Sequence, residues 1–329
     1  MLAQIDRVLV TPNMLSGLSS AFEPLRQRGI AVVHNDGHYP MNALDLVASL
    51  GDASAAIIGL DEVNSTVFEA CPNLRIIARN GVGMDTVDLE AATRHGVVVT
   101  APLGANSTSV AELTFGLLIA LVRHVFPVHA RAQRGHWQRI EGMELAGKTI
   151  GIIGLDRIGK KVARRAQAFN MRVITHDIEP DIYHAHENQI ALLTFDDVLR
   201  QADVLSLHVP LTPSTLNMID RYALDRMKTG SYLINTARGA VVDAVALAQA
   251  LDSGHIAGAA IDVHREEGIV DGSLINRPNV ITTTHLGAYT RESLLYTTEM
   301  AVQSILDVID NKCPLGIVNL SAWGKVDGG

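Results

Sequence analysis

Cysteine is nearly absent. Cys71 and Cys313 are too few for a disulfide framework, and neither belongs to a Cys-x-x-Cys pair of the kind that holds zinc or exchanges thiols. Aromatic residues are scarce, at 4% against 47% hydrophobic, so the core has to be aliphatic, as it is where parallel sheets are covered by helices. Positive charge is outweighed: 27 Lys and Arg face 35 Asp and Glu, a net charge of −8 that argues against a polyanion-binding surface and so against nucleic acid. Long apolar runs are missing too. The stretch 117–122 is far shorter than the roughly 20 residues that a bilayer requires. Residues 1–11 alternate apolar and charged side chains, with no basic start leading into an apolar run, so no secretion signal is expected. The expectation is a soluble, cytoplasmic protein with no membrane partner.

What is present is a regular alternation. At 329 residues the chain exceeds the usual size of one core, which predicts two domains. Short β-branched runs at 7–10, 30–34, 55–60, 74–79 and 97–100 read as parallel strands, and 15–28 and 88–95 between them carry helical spacing, with Asp88 placed as a cap. A connecting helix is expected from 107 to 124. A second alternation follows at 149–154, 172–176, 204–207, 231–235, 256–262 and 280–283, and a last long helix runs from 291 to 310. The predicted class is α/β, with two doubly wound parallel sheets.

The segment Gly154-Leu-Asp156-Arg157-Ile158-Gly159 places a glycine turn between a strand and a helix, where unpaired N–H groups and the positive end of the helix dipole can receive a diphosphate. It matches the dinucleotide fingerprint G-x-G-x-x-G except at the second glycine, which is Asp156. Alone this is also what a ligand-free tight turn looks like. Asp177, 23 residues after Gly154 at the end of the next strand, strengthens the dinucleotide reading. Its carboxylate can accept from a ribose hydroxyl and repels a 2′-phosphate, which favours NAD over NADP.

Three loops at strand ends carry further chemistry. Arg238 lies on the loop that leads to a helix capped by Asp243, where its planar fork suits a carboxylate, although an arginine there also serves as a surface ion-pair partner. The segment 260–267 ends a strand with the acids Asp262, Glu266 and Glu267, and Thr284-His285-Leu-Gly287 ends the last strand with a histidine. Oxidising an alcohol at carbon requires a group that takes its proton as hydride leaves, and an acid beside histidine fixes the imidazole tautomer for that task. In the first half, Asn80-Gly-Val-Gly83 offers bare backbone N–H groups to a small anion, or is simply a tight turn. His176, His184 and His186 lie close in sequence, but no acid or cysteine completes a metal-ligand spacing, so no metal is expected.

Together these segments resemble the D-isomer-specific 2-hydroxyacid dehydrogenases. The matching stretches are 79–85, 109–113, 145–155, His208-Val-Pro-Leu-Thr-Pro213, 235–243 and His285-Leu-Gly-Ala288. The likeness spans nearly the whole chain, and within the family it is similar to phosphoglycerate dehydrogenase-like members. The resemblance implies a Rossmann cofactor domain, 101–290, inserted into a flavodoxin-like substrate domain, 1–100 with 291–329, and an active site between them. It implies NAD as cofactor, a small 2-keto or 2-hydroxy acid as substrate, and a homodimer formed through the cofactor domain.

Position by position, the resemblance makes His285 the acid/base, Glu267 its partner and Arg238 the residue that binds and polarises the substrate. Asn80, Gly81 and Val82 hold the substrate carboxylate. Gly154, Asp156, Arg157, Ile158 and Gly159 surround the diphosphate and Asp177 the ribose, while His208, Val209, Pro210, Thr236, Ala237 and Asp262 complete the cofactor site.

Three departures from the family pattern carry expectations. Asp156 either crowds the diphosphate, is neutralised by Arg157, Lys160 or Lys161, or turns away as a helix cap. Were it to disable the site, the chain would be a non-catalytic binding or regulatory protein on the same fold. Asp61 and Glu62, which follow Gly59-Leu60, are expected to repel a substrate phosphate. Gly268 stands after Glu267 where proline is common, which predicts a flexible loop.

Overall fold

The computed structural model describes residues 5–326. The chain divides into two compact units, one formed by the described parts of Met1–Asn106 and Thr290–Gly329, the other by Ser107–Tyr289.

The first unit is built on five strands: β1 (Arg7–Val10), β2 (Ala31–His34), β3 (Ala55–Ile58), β4 (Ile76–Arg79) and β5 (Val98–Thr100). All pair in parallel, in the order β2-β1-β3-β4-β5, which is the flavodoxin-like winding. Successive side chains point to opposite faces, so Val8, Val10, Ile57 and Ile76 enter one apolar layer while Leu9, Ile58 and Ile77 enter the other. The helix Arg291–Ile309 closes the first layer with Ala301, Val302, Ile305 and Val308.

The second unit carries seven parallel strands: β6 (Thr149–Ile153), β7 (Arg172–His176), β8 (Ala191–Leu192), β9 (Val204–Leu207), β10 (Ser231–Asn235), β11 (Ile256–Ile261) and β12 (Val280–Thr282). Their order, β12-β11-β10-β9-β6-β7-β8, is the Rossmann winding with one further strand. Ile150 and Ile152 pack on one face against the helix Ser107–Val122, and Leu205, Leu207 and Leu233 pack on the other. The apolar stretch 117–122 is thus core: Leu117, Leu118, Leu121 and Val122 are all buried within this unit.

Three details differ from the sequence reading. The segment 15–28 is not one helix but two 3-10 turns, Asn13–Gly17 and Ser19–Phe22, and the short helix Glu23–Gln27. Pro24 fits only a first turn, and Ser16 turns its hydroxyl onto the Asn13 carbonyl at 2.8 Å, competing with continuous helix. Strand β8 was not anticipated, because two residues carry no periodicity. The connecting helix stops at Val122, where His124 adopts φ 53°, and restarts as Val125–Ala132 at 63° to its first part. Among the described residues no single helix is long and apolar enough to cross a membrane.

Candidate active site

The sequence-predicted residues lie at the carboxyl ends of strands. Strand order reverses in the second unit between β6 and β9, the crevice where open α/β sheets bind ligands. Gly154, at the end of β6, takes φ 93°, and a Cβ there would stand 2.5 Å from the His208 carbonyl oxygen at the end of β9. A Cβ on Gly159 would overlap the Gly154 carbonyl, so both glycines are needed to bring the helix Arg157–Ala168 against the turn.

Asp156 is the N-cap of that helix. Its Oδ1 accepts from the Ile158 N–H at 3.1 Å, and among the described residues it forms no ion pair, since Lys160 is committed to Asp181 at 2.6 Å. The structure thus forms the cap and, among the described residues, shows no neutralising ion pair. The Ile158 N–H, expected at the diphosphate, is therefore occupied, whereas among the described residues those of Asp156 and Arg157 donate to no protein acceptor.

Asp177 also has work within the protein. Oδ2 accepts from Leu155 N–H at 2.6 Å and Oδ1 from Glu179 N–H at 2.9 Å, so it ties the glycine turn to the end of β7 while retaining lone pairs for a ribose. His208 is buried, with Nε2 at 2.8 Å from the Ser206 hydroxyl and Nδ1 without a partner among the described residues. Burial pushes its pKa down to about 3, so the ring is neutral and what it turns towards Gly154 is its main chain. Val209 touches the same turn, Pro210 is exposed, and Arg157 is exposed at the helix start.

The ends of β11 and β12 bring together an acid–histidine pair. His285 Nδ1 lies 2.5 Å from Glu267 Oε1, and both side chains are partly exposed. His285 sits at φ 57°, a left-handed conformation that costs a non-glycine residue on the order of 1 kcal/mol and has to be held by its surroundings. Asp262 does the holding. Its main-chain carbonyl accepts from His285 N–H at 2.7 Å, Oδ1 from the Thr283 hydroxyl at 2.6 Å and Leu286 N–H at 2.8 Å, and Oδ2 from Gly287 N–H at 2.8 Å. The Asp262 carboxylate, expected at the cofactor site, is fully buried and committed to this loop.

Arg238 follows β10. Asn235, fully buried, donates Nδ2 to the Arg238 carbonyl at 2.9 Å and accepts the Ala237 N–H at 3.0 Å, fixing the loop, while the guanidinium donates to the Ala237 carbonyl at 2.7 Å. A Cβ on Gly239 would overlap the His264–Arg265 peptide, so the Arg238 loop rests on the segment that leads to Glu267. The Thr236 hydroxyl, buried, meets that of Thr114 at 3.1 Å. Gly268 takes φ 84°, a value proline cannot reach, in a turn closed by Ile269 N–H to the Glu266 carbonyl at 3.2 Å.

In the first unit, Asn80 donates Nδ2 to the hydroxyls of Thr297 at 3.0 Å and Thr298 at 3.1 Å. Buried Arg79 braces the same loop through the carbonyls of Gly59 and Gly83. Among the described residues the N–H groups of Gly81 and Val82 donate to no protein acceptor, which leaves an anion nest.

Comparison with known proteins decides the family. Residues 115–287, more than half the chain, match the D-isomer specific 2-hydroxyacid dehydrogenase, NAD binding domain. The chain belongs to that family. It is 36% identical over 307 residues to a D-3-phosphoglycerate dehydrogenase of Bacillus subtilis, covering 88% of this chain and 58% of the relative. It is 35% identical over 298 residues to a glyoxylate reductase of Thermofilum pendens, with 88% of each covered. The chain thus spans little more than half the length of the phosphoglycerate dehydrogenases it matches. A solved structure from Thermus thermophilus is 37% identical, with a TM-score of 0.86 over 95% of this chain and 99% of that one. A D-lactate dehydrogenase from Aquifex aeolicus, complexed with NAD and lactic acid, is 28% identical at a TM-score of 0.83, over 95% and 99%.

As a 2-hydroxyacid dehydrogenase family member the chain shows several supporting residues that the sequence did not single out. Asn235, Thr283, Thr297 and Thr298 each orient a candidate site loop through one or two hydrogen bonds. Strand-end position was the available signal for the first two, whereas nothing in the sequence links 297–298 to residue 80. Asp61 was misread. It is fully buried, accepting from the Thr11 hydroxyl, from Gly59 N–H at 3.0 Å and from Met41 N–H at 3.0 Å, and so braces the β3 loop rather than facing a ligand.

Proposed function

We propose that this chain transfers a hydride between NAD and a small D-2-hydroxyacid or the corresponding 2-keto acid. The observation that carries the reading is the 2.5 Å hydrogen bond between His285 and Glu267 at the strand ends of a family NAD binding domain. The glycine turn suits the cofactor: Gly154 and Gly159 let the helix close on the turn, and two N–H groups at the helix start, with no protein acceptor among the described residues, can receive an anion. Residues 101–290 then serve as cofactor domain, with Asp177 at the ribose, and 1–100 with 291–329 as substrate domain.

When bound, NADH supplies the hydride. With Nδ1 engaged by Glu267, His285 presents Nε2, which gives its proton to the substrate carbonyl oxygen in reduction and takes the hydroxyl proton in oxidation. Glu267 fixes the tautomer and stabilises the imidazolium whenever the ring holds both protons. Arg238 polarises the carbonyl, and the N–H groups of Gly81 and Val82 receive the carboxylate.

His285→Gln tests this assignment. It is expected to lower kcat by roughly a hundredfold to ten-thousandfold while the NADH Kd stays within about twofold. Full activity would refute the acid/base role.

The working form we propose is a cytoplasmic homodimer. Val125, Phe126 and Trp137, the last 90% exposed, place apolar surface on one short segment of an acidic chain, and an exposed thiol at Cys313 suits a reducing compartment. Sedimentation should give a dimer that Trp137→Asp weakens. A native monomer would refute it.

A further inference from the structure

Among the relatives are enzymes named D-3-phosphoglycerate dehydrogenase and glyoxylate reductase, the one named for a phosphorylated acid and the other for an acid without phosphate. The first unit bears on which chemistry this chain serves. Five loops leave the carboxyl edge of its sheet. Those after β2, β3 and β4, residues 35–42, 59–64 and 80–88, contain the acids Asp36, Glu62, Asp85 and Asp88 besides the inward-turned Asp61, and neither they nor the loops at 11–12 and 101–106 contain a lysine or arginine.

A phosphomonoester brings close to two negative charges and is met by arginine, lysine or a free helix N-terminus. Arg79, at the tip of β4, is buried and gives its guanidinium to two carbonyls and the Thr86 hydroxyl. Each helix that follows these loops has one of its first N–H groups taken by a side-chain cap: Asn42 accepts from Asp45 N–H at 2.9 Å, Asn64 from Thr66 N–H at 3.0 Å and Asp88 from Ala91 N–H at 2.8 Å. At β3 the backbone is closed as well. Gly59 N–H goes to buried Asp61 and Leu60 N–H to the Tyr39 hydroxyl at 3.1 Å, which stands where a side chain on residue 59 would lie. The Gly81–Val82 nest, whose two N–H groups donate to no protein acceptor among the described residues, is left for a carboxylate.

From this we infer that the substrate is a short, unphosphorylated 2-keto acid, with hydrogen, methyl or hydroxymethyl beside the keto carbon and no phosphate. The inference rests on the dehydrogenase reading and narrows its substrate class. Arg291, exposed at the start of the helix Arg291–Ile309 and followed directly by Glu292, is the cation whose removal enters the test.

The test is NADH oxidation by the native protein with glyoxylate, pyruvate, hydroxypyruvate and 3-phosphohydroxypyruvate, repeated with Arg291→Ala. At least one unphosphorylated acid should exceed the phosphorylated one tenfold or more in kcat/KM, with that ratio preserved in Arg291→Ala. A phosphorylated substrate that equals or outruns all three overturns the inference, most directly if Arg291→Ala abolishes its advantage. Oxidation with none of the four overturns the dehydrogenase reading and this inference with it, a pattern distinct from a preference for phosphate.

Discussion

Replacing Asp156 by glycine should tighten NADH binding, and the size of the effect follows from where the carboxylate sits. It caps the helix that begins at Arg157, and the N–H groups left for a diphosphate belong to Asp156 and Arg157, so carboxylate and phosphate come within roughly 5 Å. Two unit charges at that separation repel by about 0.8 kcal/mol in water and about 3 kcal/mol at an effective dielectric of about 20. That is roughly fourfold to two-hundredfold in Kd. Glycine also frees the Ile158 N–H for the ligand, and its cost as an N-cap is only a few tenths of a kcal/mol. Isothermal titration of NADH into native protein, Asp156→Gly and Asp156→Asn at low and high salt separates the terms. Asparagine keeps a capping oxygen without the charge, so most of the gain should appear in both variants and shrink as salt screens the repulsion. A glycine variant that binds no better than native, or a gain indifferent to salt, would refute the electrostatic reasoning.

Other outcomes follow from the same geometry. Asp262→Asn replaces an acceptor facing three donors and should lower kcat at least tenfold and stability by about 1–3 kcal/mol, with little change in NADH Kd; unchanged kcat would show that the His285 loop holds itself. Gly239→Ala drives a methyl into the His264–Arg265 peptide and should cost about 1–3 kcal/mol in urea unfolding, together with activity. His208 has its pKa lowered by burial to about 3, so the unfolded chain binds more protons between that value and about 6.5, and stability present above that window is lost as pH falls through it. Between pH 7 and 5 this amounts to about 2 kcal/mol, a loss that His208→Gln should lack when the two are compared by urea unfolding at both values.

The division of labour between sequence and structure has physical causes. Strands β1, β7, β9 and β10 were read to the residue because a buried parallel strand needs a continuous β-branched or aliphatic run, and turn residues bound each one here. The region 15–28 misled because its apolar spacing is helical while Gly17, Ser19 and Pro24 break the backbone that would display it. In the candidate site, residue types point to His285, Glu267 and Arg238, since the chemistry proposed for them is carried by the side chain. The residues that orient them were harder to see. Asp262 and Asp61 are both acids at strand ends, and nothing in one sequence says whether such a carboxylate points outward to a ligand or inward to backbone N–H groups; both point inward.

Asp156 shows most clearly why such a position is undecidable from residues alone. Aspartate is among the best N-caps, and an N-cap position at a glycine turn is also where a diphosphate seeks its donors, so one residue type satisfies the free protein and opposes the ligand. The structure shows the free protein's solution, a 3.1 Å cap bond at an exposed helix end. Such a bond is worth about 1 kcal/mol, small beside the several charge-assisted hydrogen bonds a diphosphate can make. The cap is therefore a bias against binding rather than a block. If so, Asp156 sets the cofactor affinity of the proposed dehydrogenase without removing its chemistry, and Asp156→Gly should change the KM for NADH far more than kcat at saturating NADH.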